Sequence, residues 1–191
     1  MEIAALFVRK DSIYKKIGGV ECFDVDRDAR TFQSSQVVIA HPPCRAWGKL
    51  RRFAKPRKGE RHLATFAIRK IRENGGVLEH PSTSTLWAKL GIKTNGTRDA
   101  YGGYCLPIDQ LCFGHKAQKR TVLYICGIEA SELPAIPYTM SEATHVVRSE
   151  KKDRRPLITK AEREHTPERL ALWLIETARR ITSKQKNSTA R

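Results

Sequence analysis

The sequence predicts an α/β fold of one domain: a mostly parallel sheet with helices on both faces and a terminal antiparallel hairpin. Three observations carry this. Short apolar runs alternate with segments of helical spacing, the βαβ signature of parallel strands with right-handed crossovers. Several of these runs stop at proline, glycine or charged clusters, as buried strands do. Two adjacent β-prone runs then follow one another without room for a crossover helix, which implies an antiparallel pair. At 191 residues one domain is the default, and there is chain enough for a core.

Ile3 to Val8 reads as the first strand. Lys10-Asp11-Ser12 starts a turn or short helix with Ile13, Tyr14 and Ile17 as its apolar side, broken by Gly18-Gly19. Val20 to Val25 is the second strand and runs into Asp26-Arg27-Asp28. Val37 to Ala40 is a third strand, stopped by Pro42 and Pro43, which lack the N–H that a ladder needs. Leu63, Phe66, Ala67, Ile68 and Ile71 have helical spacing up to an Asn74-Gly75-Gly76 stop. Val77 to Pro81 is the next strand, and Ser82 to Leu90 a short helix. Gly91 to Gly103 is loop-like. Leu106 to Gln110 and Leu111 to Phe113 read as extended, and Thr121 to Cys126 has the strongest β-propensity in the chain. Glu129 to Pro137 reads as a surface segment, and Arg148 to Pro156 as a charged, flexible one. Thr166-Pro167-Glu168 opens a helix, with Thr as cap, Pro at the first position and an acid in the first turn. The domain then spans 1–182, and 183–191 reads as a disordered basic tail.

The formal net charge of +16 points to a polyanionic partner, DNA or a nucleotide. Five cysteines without a C-x-x-C pair, and no signal peptide, point to reduced thiols in a cytoplasm. No apolar run approaches the ~18 residues of a membrane span, so no membrane partner is expected.

Cys44 is delivered just past a strand end, where open α/β sheets place their chemistry. Arg45, Lys49, Arg51, Arg52, Lys55, Arg57, Lys58 and Arg61 follow, against the single acid Glu60. Such cations depress a thiol pKa and favour the nucleophilic thiolate, and they suit backbone phosphates. Glu79 ends the neighbouring strand, so thiol and carboxyl converge on one ligand, suiting addition to an electron-poor ring with acid assistance at a ring nitrogen. Trp47 is placed to line a base pocket. Two alternatives use the same residues: a zinc site from His41-x-x-Cys44 and Cys112-x-x-His115, and a Cys/His hydrolase pairing Cys44 with His80 or His115.

Pro43-Cys44-Arg45-Ala46-Trp47-Gly48 resembles the Pro-Cys motif of DNA cytosine-C5 methyltransferases. Leu78-Glu79-His80-Pro81 is similar to that family's Glu-Asn-Val strand end. Gln118-Lys119-Arg120, running into Val122 to Ile125, resembles its Gln-x-Arg-x-Arg motif, and Thr166-Pro167 its closing motif. The four occur in the family's order. The resemblance implies a Rossmann-like, methyltransferase-like sheet. It implies catalytic roles for Cys44 (attack on C6), Glu79 (at N3) and Arg120. It also implies S-adenosylmethionine as cofactor near Asp24, Asp26, Pro42 and Thr166, and nucleic-acid contacts from the basic loop and Gln118. The sequence departs from the family in three places. No glycine follows Leu6-Phe7-Val8, where the family has Phe-x-Gly-x-Gly; the second Arg of Gln-x-Arg-x-Arg falls on Val122; and no insertion serves as a target-recognition domain. The alternative on the same fold is a catalytically silent nucleic-acid-binding or inhibitory protein, or a related Cys-dependent enzyme with another donor.

Overall fold

The computed structural model describes residues 2–49, 51–147 and 153–189. Six strands form one sheet: β1 (Ile3–Leu6), β2 (Glu21–Phe23), β3 (Val37–Ala40), β4 (Gly76–Pro81), β5 (Tyr104–Asp109) and β6 (Arg120–Cys126). Their order across the sheet is β2-β1-β3-β4-β6-β5. The β2-β1, β1-β3 and β3-β4 pairs are parallel, whereas β6 runs antiparallel to both β4 and β5. The expected mostly parallel sheet with a terminal antiparallel hairpin is therefore the observed one.

Five helices cover it: α1 (Ile13–Ile17), α2 (Arg61–Asn74), α3 (Leu86–Lys89), α4 (Lys160–Glu164) and α5 (Glu168–Thr189). Strand alternation sorts the core in two. Ile3, Ala5, Val37, Ile39, Val77, Leu123 and Ile125 pack with Tyr14 of α1 and with Leu170, Leu174, Ala178 and Ile181 of α5. Ala4, Leu6, Val38, Ala40, Leu78, Val122 and Tyr124 pack with Ala64, Ala67, Ile68 and Ile71 of α2 and with Leu86 and Trp87 of α3. Helices thus lie on both faces.

The structure departs from the sequence reading in several places. Leu111 to Phe113 is not extended; Gln110–Phe113 is a 3-10 turn, capped by Asp109 accepting from the Leu111 N–H, because Asp favours that local bond over the ladder. Helix α4 has no apolar stripe to announce it and is held by a capping box between Thr159 and Glu162. The region read as a basic tail is helical to Thr189. Buried Ile181 anchors this last stretch, and Gln185 donates to the Asn74 carbonyl at 2.7 Å while Lys184 reaches Glu132. Within the segment read as flexible, 148–152 lies outside the described residues. Arg155 just after it donates to Asp153 and to the Ala143 carbonyl. Among the described residues no helix is long and apolar enough to cross a membrane.

Candidate active site

The parallel register places β3 and β4 side by side, with Ala40 opposite Leu78. One residue further, His41 and Glu79 emerge on the face that carries α1 and α5. Glu79 Oε2 lies 3.2 Å from His41 Nδ1, and His41 Nε2 lies 2.9 Å from the Tyr14 hydroxyl on α1. An ionised carboxylate only accepts, so a neutral His41 carries its proton on Nδ1, and Nε2 accepts from Tyr14. Glu79 Oε1 accepts from Gln110 Nε2 at 3.0 Å, and the same nitrogen reaches Thr121 Oγ1 at 3.0 Å. The carboxylate is thus clamped from both sides by strand-end residues, leaving each oxygen a lone pair for a ligand.

Burial raises the Glu79 pKa, but Lys119, His41 and His80 outweigh it and hold the group at about 2. Glu79 is therefore a carboxylate at neutral pH. Cys44 corrects the sequence expectation. Its pKa is raised, first because the surrounding protein desolvates the thiolate and second because Glu79 repels it; Lys119 and Arg163 pull it down only in part. The basic run does not reach the sulfur in sufficient strength, in part because its first member is engaged elsewhere. Arg45 donates to both Glu60 oxygens at 3.0 and 2.5 Å.

The cation acting on both Cys44 and Glu79 is Lys119, not Arg120. Strand alternation puts Arg120 on the side of Val122 and Tyr124, opposite Glu79, and it is exposed at the strand start. Gln118 lies away from the basic loop, beside a hollow formed with Asp109, Tyr138 and Met140. Trp47 is a core residue, 2% exposed, rather than the wall of an open pocket; its indole N–H donates to the Arg61 carbonyl. Lys49, Arg51, Arg52, Lys55, Arg57 and Lys58 are exposed.

The residues that the resemblance assigns to the cofactor have the following surroundings. At the end of β1, Phe7 takes φ 61°, a conformation that glycine adopts without strain, and its ring sets edge-on to Phe66. The Asp24 carboxylate is already occupied by Lys15 at 2.5 Å and by the Asp26 and Arg27 N–H groups. Asp26 pairs with Lys10 at the surface. Beyond the strand, Arg9 bonds Asp11 and Glu164, and His165 reaches Asp11 at 2.9 Å, filling the crevice between β1 and α4. Pro42 is buried, and Thr166 is half-buried ahead of α5. Asp24 and Asp26, which the resemblance assigns to S-adenosylmethionine, are thus engaged by Lys15 and Lys10 within the protein.

For the zinc alternative, no group of three or more His, Cys, Asp or Glu side chains is disposed to hold a metal among the described residues. His41 faces Glu79 and Tyr14, and His115 Nδ1 pairs with Ala117. His80 is fully buried, edge-on to Trp87, and on the face opposite Glu79, so it does not serve Cys44 as a hydrolase base. All five cysteines are free. Nothing in the sequence gives Tyr14, Gln110, Lys119 or Arg163 a role at this site. His41 was visible there as a ligand type, and the parallel register of two strands both ending at proline was the signal that pairs it with Glu79. No known protein family matches this chain, and no curated protein matches it.

Proposed function

We propose that this protein is a pyrimidine-directed enzyme acting on cytosine in DNA, resembling the core of the cytosine-C5 methyltransferases. The observation that carries the reading is a neutral Cys44 thiol that senses the charge of an ionised Glu79 carboxylate at the C-terminal rim of the adjacent parallel strands β3 and β4, the carboxylate being fixed by His41 and Gln110. The pair holds one proton between two groups that sense each other's charge. As the Cys44 sulfur bonds to C6, the ring electrons move to N3. The thiol proton passes to Glu79 and from there to N3, so the adduct forms without net charge. The activated C5 then takes a proton from water or a group from an electrophilic one-carbon donor. Loss of the C5 hydrogen as a proton, with expulsion of the thiol, restores the aromatic ring. A base in a duplex must leave the stack first, at a cost of a few kcal/mol.

Exchange of the C5 hydrogen needs no donor, and it tests the reading directly. Tritium release from DNA labelled at cytosine C5 should occur with the wild type and disappear in Cys44→Ala. A wild type that releases none, and traps no 5-fluorocytosine DNA on Cys44, would remove the enzyme reading. A silent nucleic-acid-binding protein is the second reading, and the raised Cys44 pKa favours it. In that case Cys44→Ala binds DNA like the wild type and neither protein exchanges hydrogen.

A further inference from the structure

The segment after Cys44 is tied at its base and loaded at its tip. Glu60, 3% exposed, closes it by accepting from the Arg45 guanidinium at 3.0 and 2.5 Å and from the Arg57 N–H at 3.2 Å. The Arg61 guanidinium lies over the buried Trp47 ring at 4.6 Å. This clasp uses the only acid in the stretch. Arg51, Arg52, Arg57, Arg61 and His62 then line a hollow of about 320 Å³, and none of the four arginines has a carboxylate partner among the described residues. In the middle of this cationic tip stands Phe53, 84% exposed. Every other phenylalanine of the chain is buried or packed against a buried cluster.

A phosphate fits the arginine-lined hollow, but a phosphate alone gives the phenyl ring nothing to cover it. A partner that presents anionic phosphates and flat apolar faces a few ångströms apart satisfies both, and a nucleic-acid strand is such a partner. We infer that Phe53 is a stacking wedge: with the backbone phosphates of duplex DNA held by Arg51, Arg52 and Arg57, its ring enters the base stack beside the target nucleotide. This rests on the DNA reading above and deepens it by naming the side chain that opens the base stack. Apolar side chains inserted between base steps unstack them, so the wedge lowers the cost of extruding the base that Cys44 attacks.

The test is binding of a short duplex with 2-aminopurine beside a central cytosine, followed by anisotropy and by 2-aminopurine emission, using wild type, Phe53→Ala, Phe53→Trp and Arg51→Ala/Arg52→Ala. Wild type should bind and raise the emission by unstacking the reporter. Phe53→Ala should bind about tenfold more weakly with no rise in emission and an unchanged salt slope, whereas Phe53→Trp should retain both. Arg51→Ala/Arg52→Ala should flatten the salt slope by about 2. Because Phe53 is exposed, Phe53→Ala should melt with the wild type, and circular dichroism checks this. Binding and emission of Phe53→Ala equal to wild type would overturn the wedge, as would a wild type that binds without any rise in emission or does not bind duplex DNA. Hydrogen exchange at C5 is read separately: exchange by a wild type that binds without any rise in emission would keep Cys44 chemistry and discard only the role of Phe53.

Discussion

His41 holds a proton on Nδ1 only because Glu79 in front of it is ionised, and Glu79 stays ionised partly because His41 donates to it. Glu79→Gln replaces an acceptor oxygen by an amide and breaks this reciprocity. It should lower C5 exchange by about 10²- to 10⁴-fold, the usual size of an acid–base contribution, with DNA affinity changed little. His41→Ala should fall less, because it removes a group that positions Glu79 while sparing the carboxylate. His80 acts at the same scale on stability. Burial lowers its pKa to about 4, and neither ring nitrogen has a hydrogen-bond partner among the described residues. The unfolded chain accepts a proton there near pH 6.5 and the folded one does not, so stability is full above about 6.5 and is lost as pH falls toward 4. Thermal unfolding across that window should show a loss of up to about 3 kcal/mol in the wild type, and a flatter profile in His80→Phe, which keeps a ring against Trp87.

Two elements depend on contacts that a single substitution cancels. Gly76 opens β4 at φ 138°, and a Cβ there would overlap the Val38 backbone of β3. Since neither backbone can give way without breaking the β3-β4 pairing, Gly76→Ala should cost at least about 3 kcal/mol in denaturant unfolding. At the other end of the same strands, Glu60→Gln removes the clasp charge facing Arg45. The basic loop should then be cut about fivefold faster in limited tryptic digestion, with the melting temperature of the whole protein little changed. At the sheet's far edge, Arg72, Asp99 and Tyr124 form a closed set, with Arg72 donating to Tyr124 at 2.9 Å and to Asp99 at 2.7 Å and Tyr124 to Asp99 at 2.6 Å. It pins the loop before β5 to α2.

Across the whole molecule, charge and topology cooperate. The sheet carries Cys44, His41 and Glu79 to one rim, and the cationic loop rises from that rim. If Lys49, Arg51, Arg52, Lys55, Arg57 and Lys58 all meet phosphates, the logarithm of duplex affinity should fall against the logarithm of salt with a slope near −5. A slope near zero would separate the loop from DNA binding. Calorimetric titration with S-adenosylmethionine should give no saturable heat at micromolar concentration, given Phe7 and the occupied Asp24 at the end of β1. Micromolar binding would instead seat the methyl donor elsewhere on the rim.

What the sequence determined by itself was local and periodic: the strands, α2 with its glycine stop, the placement of Cys44 beyond one parallel strand and of Glu79 near the C-terminal end of the next, and the antiparallel pair at the sheet edge. These follow from side-chain spacing and from where Pro and Gly interrupt it. The tertiary structure alone decided the ionisation of the site. A count of neighbouring cations argues for a thiolate at Cys44, but pKa follows distance and desolvation, and Arg45 turns to Glu60 while Glu79 faces the thiol. It also decided which cation acts on Glu79: alternation along β6 puts Arg120 on the opposite face, and Lys119 is the cation that lowers the Glu79 pKa. The last helix followed the same rule. Residues 183–189 are polar enough to read as a tail, yet they are ordered by contacts to Asn74 and Glu132, far away in sequence and adjacent only once the chain has folded.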